Sequence, residues 1–119
     1  MGGGKAGLER IVHDFVRALE VQGIRVERIF LFGSHARGEA SEDSDVDVIV
    51  VSRDFSGMSA RQRWEVLGRA VASIMEPVEP IACTPEEVEE RMAREADFVR
   101  YVLTRPETVE YQFGAFAQH

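Results

Sequence analysis

Amphipathic helices alternate with short, strongly apolar strands along this chain, and this alternation restricts its fold more than any other feature. Apolar residues recur at helical spacing in three segments, residues 5–22, 60–74 and 85–103. β-branched and aromatic residues dominate two shorter segments, 26–32 and 45–51, and these are predicted strands. A third strand is predicted over 78–83. With a short helix after Gly33, this order predicts a small α/β (α+β) domain, in which helices pack a mixed sheet of about three strands.

Four local signals refine these segments. Trp64 lies on the apolar stripe of 60–74, which predicts a packed position. Pro80 removes a hydrogen-bond donor from the third strand, so that strand is predicted to lie at a sheet edge or to be bulged. A capping box begins at Thr84 and predicts a helix start. Asp97 is suited to cap a separate last helix, so the last helical segment divides there or stays continuous.

Length and composition are typical of one ordinary globular domain. The chain has 119 residues, of which 45% are hydrophobic and 29% charged. We expect one domain over residues 1–119, with the sheet and the site between 26 and 83 and a disordered start at 1–4. The single cysteine cannot form an internal disulfide, and no segment resembles a signal peptide or a membrane span. A cytoplasmic location without a membrane partner is therefore predicted.

The charge is acidic and local. Fourteen basic and 21 acidic residues give a net charge of −7, which disfavours broad binding to nucleic acid because phosphate backbones attract basic surfaces. Two segments carry more than the whole excess, since 39–52 holds five acidic residues and 70–90 holds six, with no Lys or Arg in either. A cluster of carboxylates that binds cations would account for part of this charge.

The strongest chemical signal is a pair of short motifs at the ends of the first two strands. Gly33 and Ser34 end the first strand, and Asp45 and Asp47 begin the second. Glycine permits a ligand to approach the backbone closely, and N–H groups at the start of a helix favour anions, so this turn is a candidate phosphate site. Residues two apart on a strand share a face, which brings the two carboxylates together.

Two neighbouring carboxylates favour a divalent cation. At about 4 Å and an effective dielectric constant near 20 they repel each other by roughly 4 kcal/mol, which a bound cation would reverse. Oxygen ligands without nearby His or Cys suit Mg²⁺ or Mn²⁺ better than zinc. Asp45 and Asp47 are therefore candidate metal ligands, whereas an isolated Asp-x-Asp pair would more often only cap a turn.

These motifs carry a resemblance to a known family. Gly33-Ser34-His35-Ala36-Arg37-Gly38-Glu39-Ala40, followed by Ser44-Asp45-Val46-Asp47-Val48-Ile49-Val50, resembles the signature of the minimal nucleotidyltransferases of the DNA polymerase beta-like superfamily. The resemblance implies a nucleotidyltransferase fold, a triphosphate held by the glycine-serine turn and two metal ions bound by the two aspartates. It also implies a third carboxylate from a later strand.

Glu79 is the candidate for this third carboxylate, with a catalytic or metal-binding role. Glu76 is the rival candidate, although it precedes the strand. Arg37 either reaches a phosphate or forms an ion pair on the surface. His35 is interpreted as an exposed turn histidine rather than a nucleotide contact.

The resemblance implies the reaction and the partners. An acceptor hydroxyl would attack the α-phosphate of an NTP, with ATP favoured, and pyrophosphate would leave. Such chains commonly act as antitoxins that transfer AMP to a helical RNase toxin of the HEPN class, so acceptor specificity would come from that partner or from a homodimer. Two alternatives stay open: a weakly active or inactive antitoxin or scaffold that binds a partner, and a nucleotidyltransferase that acts on a small molecule.

Overall fold

One mixed sheet connects the predicted strands in the computed structural model, which describes residues 4–41 and 44–113. Its strands are β1 (Arg28–Phe32), β2 (Val46–Val51), β3 (Val78–Cys83) and β4 (Val109–Gln112). Their order is β3-β2-β1-β4. β1 runs antiparallel to both β2 and β4, and β2 runs parallel to β3. The α/β class with a mixed sheet is confirmed.

The fourth strand was not predicted, so the expected number of strands is corrected from about three to four among the described residues. β4 is only four residues long and most of its side chains are exposed. Tyr111 alone packs against the core. A short and largely polar strand gives too little alternation to be recognised, and its pairing with β1 supplies the stability that its own sequence lacks.

The helices lie close to their predicted positions. They are α1 (Gly4–Val21), α2 (Ser34–Arg37), α3 (Ala60–Ile74), α4 (Pro85–Met92) and α5 (Phe98–Leu103), with a short 3₁₀ helix at Arg53–Phe55. Thr84 forms the predicted capping box, and Asp97 caps α5 as a separate helix by accepting a hydrogen bond from the Val99 N–H. The expected disorder at 1–4 falls mainly outside the described residues, and α1 begins at Gly4.

Two apolar clusters cover the two faces of the sheet. Leu31, Val48 and Val50 face the cluster that includes residues of α1 and α3. Ile49 and Val51 face the cluster that includes residues of α4 and α5. Both faces of β2 are therefore buried, which explains its continuous apolar sequence.

Pro80 lies in a strand at the sheet edge, as predicted. β3 pairs with β2 without interruption from Val46↔Val78 to Val51↔Cys83, so it contains no bulge. The edge position tolerates the missing donor because only one side of the strand pairs. None of the helices in the described part of the chain is both long and apolar enough to cross a membrane.

Candidate active site

Three of the candidate carboxylates lie together at one end of the sheet. Asp47 pairs in register with Phe32, the last residue of β1, and with Glu79, the second residue of β3. Asp45 lies immediately before β2 and is exposed. Glu76, the rival of Glu79, is placed elsewhere, with its carboxylate 3.6 Å from Nη2 of Arg10 on α1. The topology therefore favours Glu79 as the neighbour of the two aspartates.

The electrostatics of this group are those of mutual repulsion. Burial raises the pKa of Asp47, and the charge of Asp45 raises it further. The charge of Asp45 is also the largest cause of a raised pKa at Glu79, and Asp47 adds to it. The charge of Asp45 thus makes the ionised forms of Asp47 and Glu79 less favourable, which is the condition that a bound cation relieves.

Gly33 is required by its conformation and by its contact with Asp47. Its φ of 79° and ψ of −155° lie in a region open essentially to glycine alone. A Cβ at this position would overlap Oδ2 of Asp47 and lie 3.2 Å from Cγ of the same residue. The glycine therefore lets the turn approach the carboxylate directly.

Ser34 begins α2 directly after Gly33. The first N–H groups of a helix have no partners within that helix, so they stay available to an anionic ligand. The turn also ends with a glycine, because Gly38 adopts a left-handed conformation with φ 75°. Because Gly33 directly contacts Asp47, the predicted phosphate site lies next to the carboxylates.

Arg37 forms the surface ion pair that was one of its two predicted roles. Its Nε donates to Oε1 of Glu39 at 3.0 Å, and both side chains are exposed. Its charge still lowers the pKa of Asp47, so the guanidinium lies at the edge of the same site. A phosphate contact would require Arg37 to exchange its carboxylate partner.

His35 is half-buried, unlike the exposed turn histidine that was expected. Its Nε2 lies 3.3 Å from the carbonyl oxygen of Ser44. The interaction of the His35 ring with the Asp47 carboxylate lowers the pKa of Asp47. The sequence pattern could not reveal this contact, since the two residues are nine positions apart across a loop.

A cleft of about 640 Å³ opens beside Asp47 and Glu79. Its other walls are mainly apolar and come from β1, α3, β3 and α5: Phe32, Trp64, Leu67, Gly68, Val71, Ala72, Val78, Pro80, Ile81 and Phe98. The packed position predicted for Trp64 is wrong, because the residue is 77% exposed at the cleft. Its helical spacing placed it on the apolar stripe, but its side chain lines the open cleft instead of packing into the core.

The donor chemistry fits a hard divalent cation, because only carboxylate oxygens meet here. Within residues 4–41 and 44–113, however, no three His, Cys, Asp or Glu side chains are arranged as a complete metal site. Asp45, Asp47 and Glu79 are thus neighbours that repel one another rather than a closed set of ligands.

Comparison with known proteins identifies the family. Residues 10–110 match the sequence model of the nucleotidyltransferase domain. The chain belongs to the nucleotidyltransferase domain family. The family indicated by the two motifs is therefore confirmed. The carboxylates and the Gly33 turn lie inside the matched segment.

One curated relative is "Putative protein adenylyltransferase MJ0604" of Methanocaldococcus jannaschii. It is 44% identical over 45 residues, which make up 36% of this chain and 44% of the relative. The chain thus spans less than half of the length of that nucleotidyltransferase relative.

Two solved structures share the nucleotidyltransferase fold. A "putative nucleotidyltransferase" from Sulfolobus solfataricus has 20% identity and a TM-score of 0.60, covering 97% of this chain and 95% of that chain. A chain of a variant toxin-antitoxin complex, MntA-HpeT, has 15% identity and a TM-score of 0.54, covering 89% of this chain and 77% of that chain. At these identities the structures establish the fold alone.

Proposed function

We propose that this protein transfers AMP from ATP to a hydroxyl group on another protein, with Asp45, Asp47 and Glu79 as its catalytic carboxylates. The observation that carries the proposal is the register of Asp47 opposite Glu79, directly beside the turn at Gly33. Membership of the nucleotidyltransferase domain family supports the reaction class. The name of the curated relative supports AMP as the group and a protein as the acceptor.

Each residue has a role in this reaction. Gly33 and the N–H groups from Ser34 onward would hold the triphosphate, and Arg37 would add a charge-assisted contact. Asp45, Asp47 and Glu79 would hold Mg²⁺ or Mn²⁺. Two such ions, when bound, would stabilise the negative charge that develops on the reacting oxygens.

The chemical step is an in-line displacement at phosphorus. The acceptor oxygen forms a bond to the α-phosphorus. The bond between the α-phosphorus and the oxygen that bridges it to the β-phosphorus breaks, and pyrophosphate leaves with that oxygen. The hydroxyl proton passes to a carboxylate, for which Glu79 is suited by its exposed position and raised pKa. Catalysis would depend mainly on holding the two reacting groups in line.

The apolar cleft supports a polypeptide as the acceptor. It reaches Asp47 and Glu79 from the side of α3 and α5, whereas the turn at Gly33 lies at the end of β1. A protein segment could therefore present its hydroxyl through the cleft while the nucleotide occupies the turn. A helical toxin of the HEPN class, encoded beside this chain, is the proposed acceptor and would make this protein its antitoxin.

The decisive experiment is a transfer assay with α-labelled ATP, Mg²⁺ and the protein encoded beside this chain. The wild type should label that protein, and Asp45→Asn/Asp47→Asn should not, because it removes two of the three carboxylates. The other three α-labelled nucleotides define the base. If neither protein labels any acceptor in the assay, while both remain folded by circular dichroism, the chain is an inactive binding protein instead.

Gly68→Ala is expected to stabilise the fold and impair transfer. Gly68 lies within α3, where alanine is preferred by about 1 kcal/mol, and an added Cβ would meet nothing within 4 Å. The same methyl group would narrow the cleft beside Trp64. We expect a higher melting temperature and a several-fold higher KM for the protein acceptor, with the KM for ATP unchanged.

Arg61→Leu is the matched control for this cleft. Arg61 is on the same helix, but its side chain is exposed and lies outside the cleft. The control should leave the acceptor KM unchanged, and Gly68→Leu should raise it further than Gly68→Ala does. An acceptor KM that is the same in all four proteins would place acceptor binding elsewhere.

A further inference from the structure

Asp45 lies outside the hydrogen-bonded ladder of the sheet. The pairing of β2 with β3 begins at Val46, and the pairing with β1 ends at Asp47. The backbone position of Asp45 therefore depends on the bonds that flank it in the chain. These are the Val46 N–H to the Pro77 carbonyl at 2.7 Å and the contact of His35 Nε2 with the Ser44 carbonyl at 3.3 Å.

The contact of His35 is distinctive because it crosses the loop. Ser44 also bonds to Ser41, through its N–H to the Ser41 carbonyl at 3.1 Å and through its Oγ, which accepts from the Ser41 N–H at 2.9 Å. Both bonds lie within the loop and cannot hold it to the rest of the site. Glu79 of β3 reaches only the side chain of Asp45. Among the hydrogen bonds of residues 4–41 and 44–113, that of His35 is the one from a side chain outside the loop to the backbone of residues 41, 44 or 45.

His35 is also part of the turn that is proposed to hold the triphosphate. It follows Ser34 in α2, and its half-buried ring influences the ionisation of Asp47. A single side chain thus connects the turn with the residue before Asp45. Because a carbonyl oxygen only accepts, Nε2 must carry the hydrogen that forms this bond.

We propose that His35 is a positioning residue that fixes Asp45 relative to the Gly33–Ser34 turn by donating its Nε2–H to the Ser44 carbonyl. The effect of His35 on catalysis rests on the proposed function, whereas its effect on the position of the loop does not. Loss of the bond leaves one flank of Asp45 unanchored. The carboxylate then samples positions away from Asp47 and Glu79, and the reactive arrangement forms less often.

The test compares His35→Ala with His35→Gln, since a glutamine amide can place a donor near the position of Nε2. Hydrogen exchange of the 41–47 segment should be about tenfold faster in His35→Ala and close to wild type in His35→Gln. In the assay with labelled ATP and the neighbouring protein, kcat should fall about 10- to 100-fold in His35→Ala, with little change in the KM for ATP. His35→Gln should recover most of this kcat.

His13→Ala is the control, because His13 makes the same kind of bond far from the site. Its Nδ1 lies 2.8 Å from the Glu9 carbonyl within α1, and neither exchange at 41–47 nor kcat should change. Unchanged exchange in His35→Ala, or a His35→Gln variant as defective as His35→Ala, would overturn the proposal. If the wild type transfers nothing, the proposed function fails, and the exchange measurement alone decides whether His35 anchors the loop.

Discussion

Asp47→Asn is expected to reduce transfer by about 10³-fold and to make the folded protein more stable at neutral pH. The loss of activity follows from removing the central carboxylate, which interacts with both Asp45 and Glu79. Stabilisation of charge at such a site contributes several kcal/mol to the barrier, and about 4 kcal/mol corresponds to 10³-fold. The gain in stability follows because the variant no longer buries a charge beside the like charge of Asp45.

The pH dependence of unfolding gives this expectation a definite sign. The folded-state pKa of Asp47 is raised above its ordinary value. Its favourable contribution is therefore complete below the ordinary pKa of an aspartate and is lost as pH rises through the raised value. Urea denaturation from pH 3.5 to pH 8 should show the wild type losing stability relative to Asp47→Asn over that interval.

Asp14→Asn is the control for charge alone. Asp14 is an exposed residue of α1 that pairs with Arg10 at 3.3 Å, away from the site. Its substitution should change the free energy of unfolding by no more than about 0.5 kcal/mol and leave transfer intact. If Asp47→Asn is instead less stable than the wild type throughout the pH range, the carboxylate has a favourable partner that the repulsion argument does not include.

The part of the site that follows from strand geometry could be predicted from the sequence. Asp45 and Asp47 share a face because side chains alternate along a strand, and Gly33 ends the strand that pairs with theirs. The place of Glu79 in the site is harder to predict. Asp47 and Glu79 are 32 positions apart in the chain, and their proximity depends on the register of two parallel strands. The continuous apolar sequence of β2 does not select that register, which is seen only in the folded sheet, where Val46 pairs with Val78 and Val51 with Cys83.

The features that were missed are those determined by tertiary packing. Trp64 has the spacing of a core residue, but only the folded chain shows that its side chain lines an open cleft and stays exposed. The contact of His35 with Ser44 depends on how the loop closes. The pairing of β4 with β1 joins residues that are 78 to 84 positions apart in the chain. Neither the contact of His35 nor the pairing of β4 leaves a periodic signal in the sequence.

Gly33→Ala is expected to reduce nucleotide transfer by about 100-fold or more, with only a moderate loss of stability. A non-glycine residue at this φ and ψ costs about 1–3 kcal/mol. The added Cβ also overlaps the Asp47 carboxylate, which is the free end of a side chain and can rotate away. Rotation relieves the overlap but displaces the carboxylate, and a displacement of about 1 Å at a reacting centre can cost about 100-fold in rate.

Gly57→Ala separates backbone strain from the effect on the site. Gly57 has a similar positive φ of 82°, yet a Cβ there meets nothing within 4 Å. Gly57→Ala should lose about 1 kcal/mol of stability, because alanine is strained at a positive φ. It should retain transfer, because it makes no contact with Asp47. Gly33→Ala should lose transfer and also the increase in melting temperature that ATP with Mg²⁺ gives the wild type, about 2.7 kcal/mol of stabilisation at 100 times the Kd. If both variants keep that increase equally, the close approach of Gly33 to Asp47 is not needed for nucleotide binding. The triphosphate then binds somewhere other than this turn.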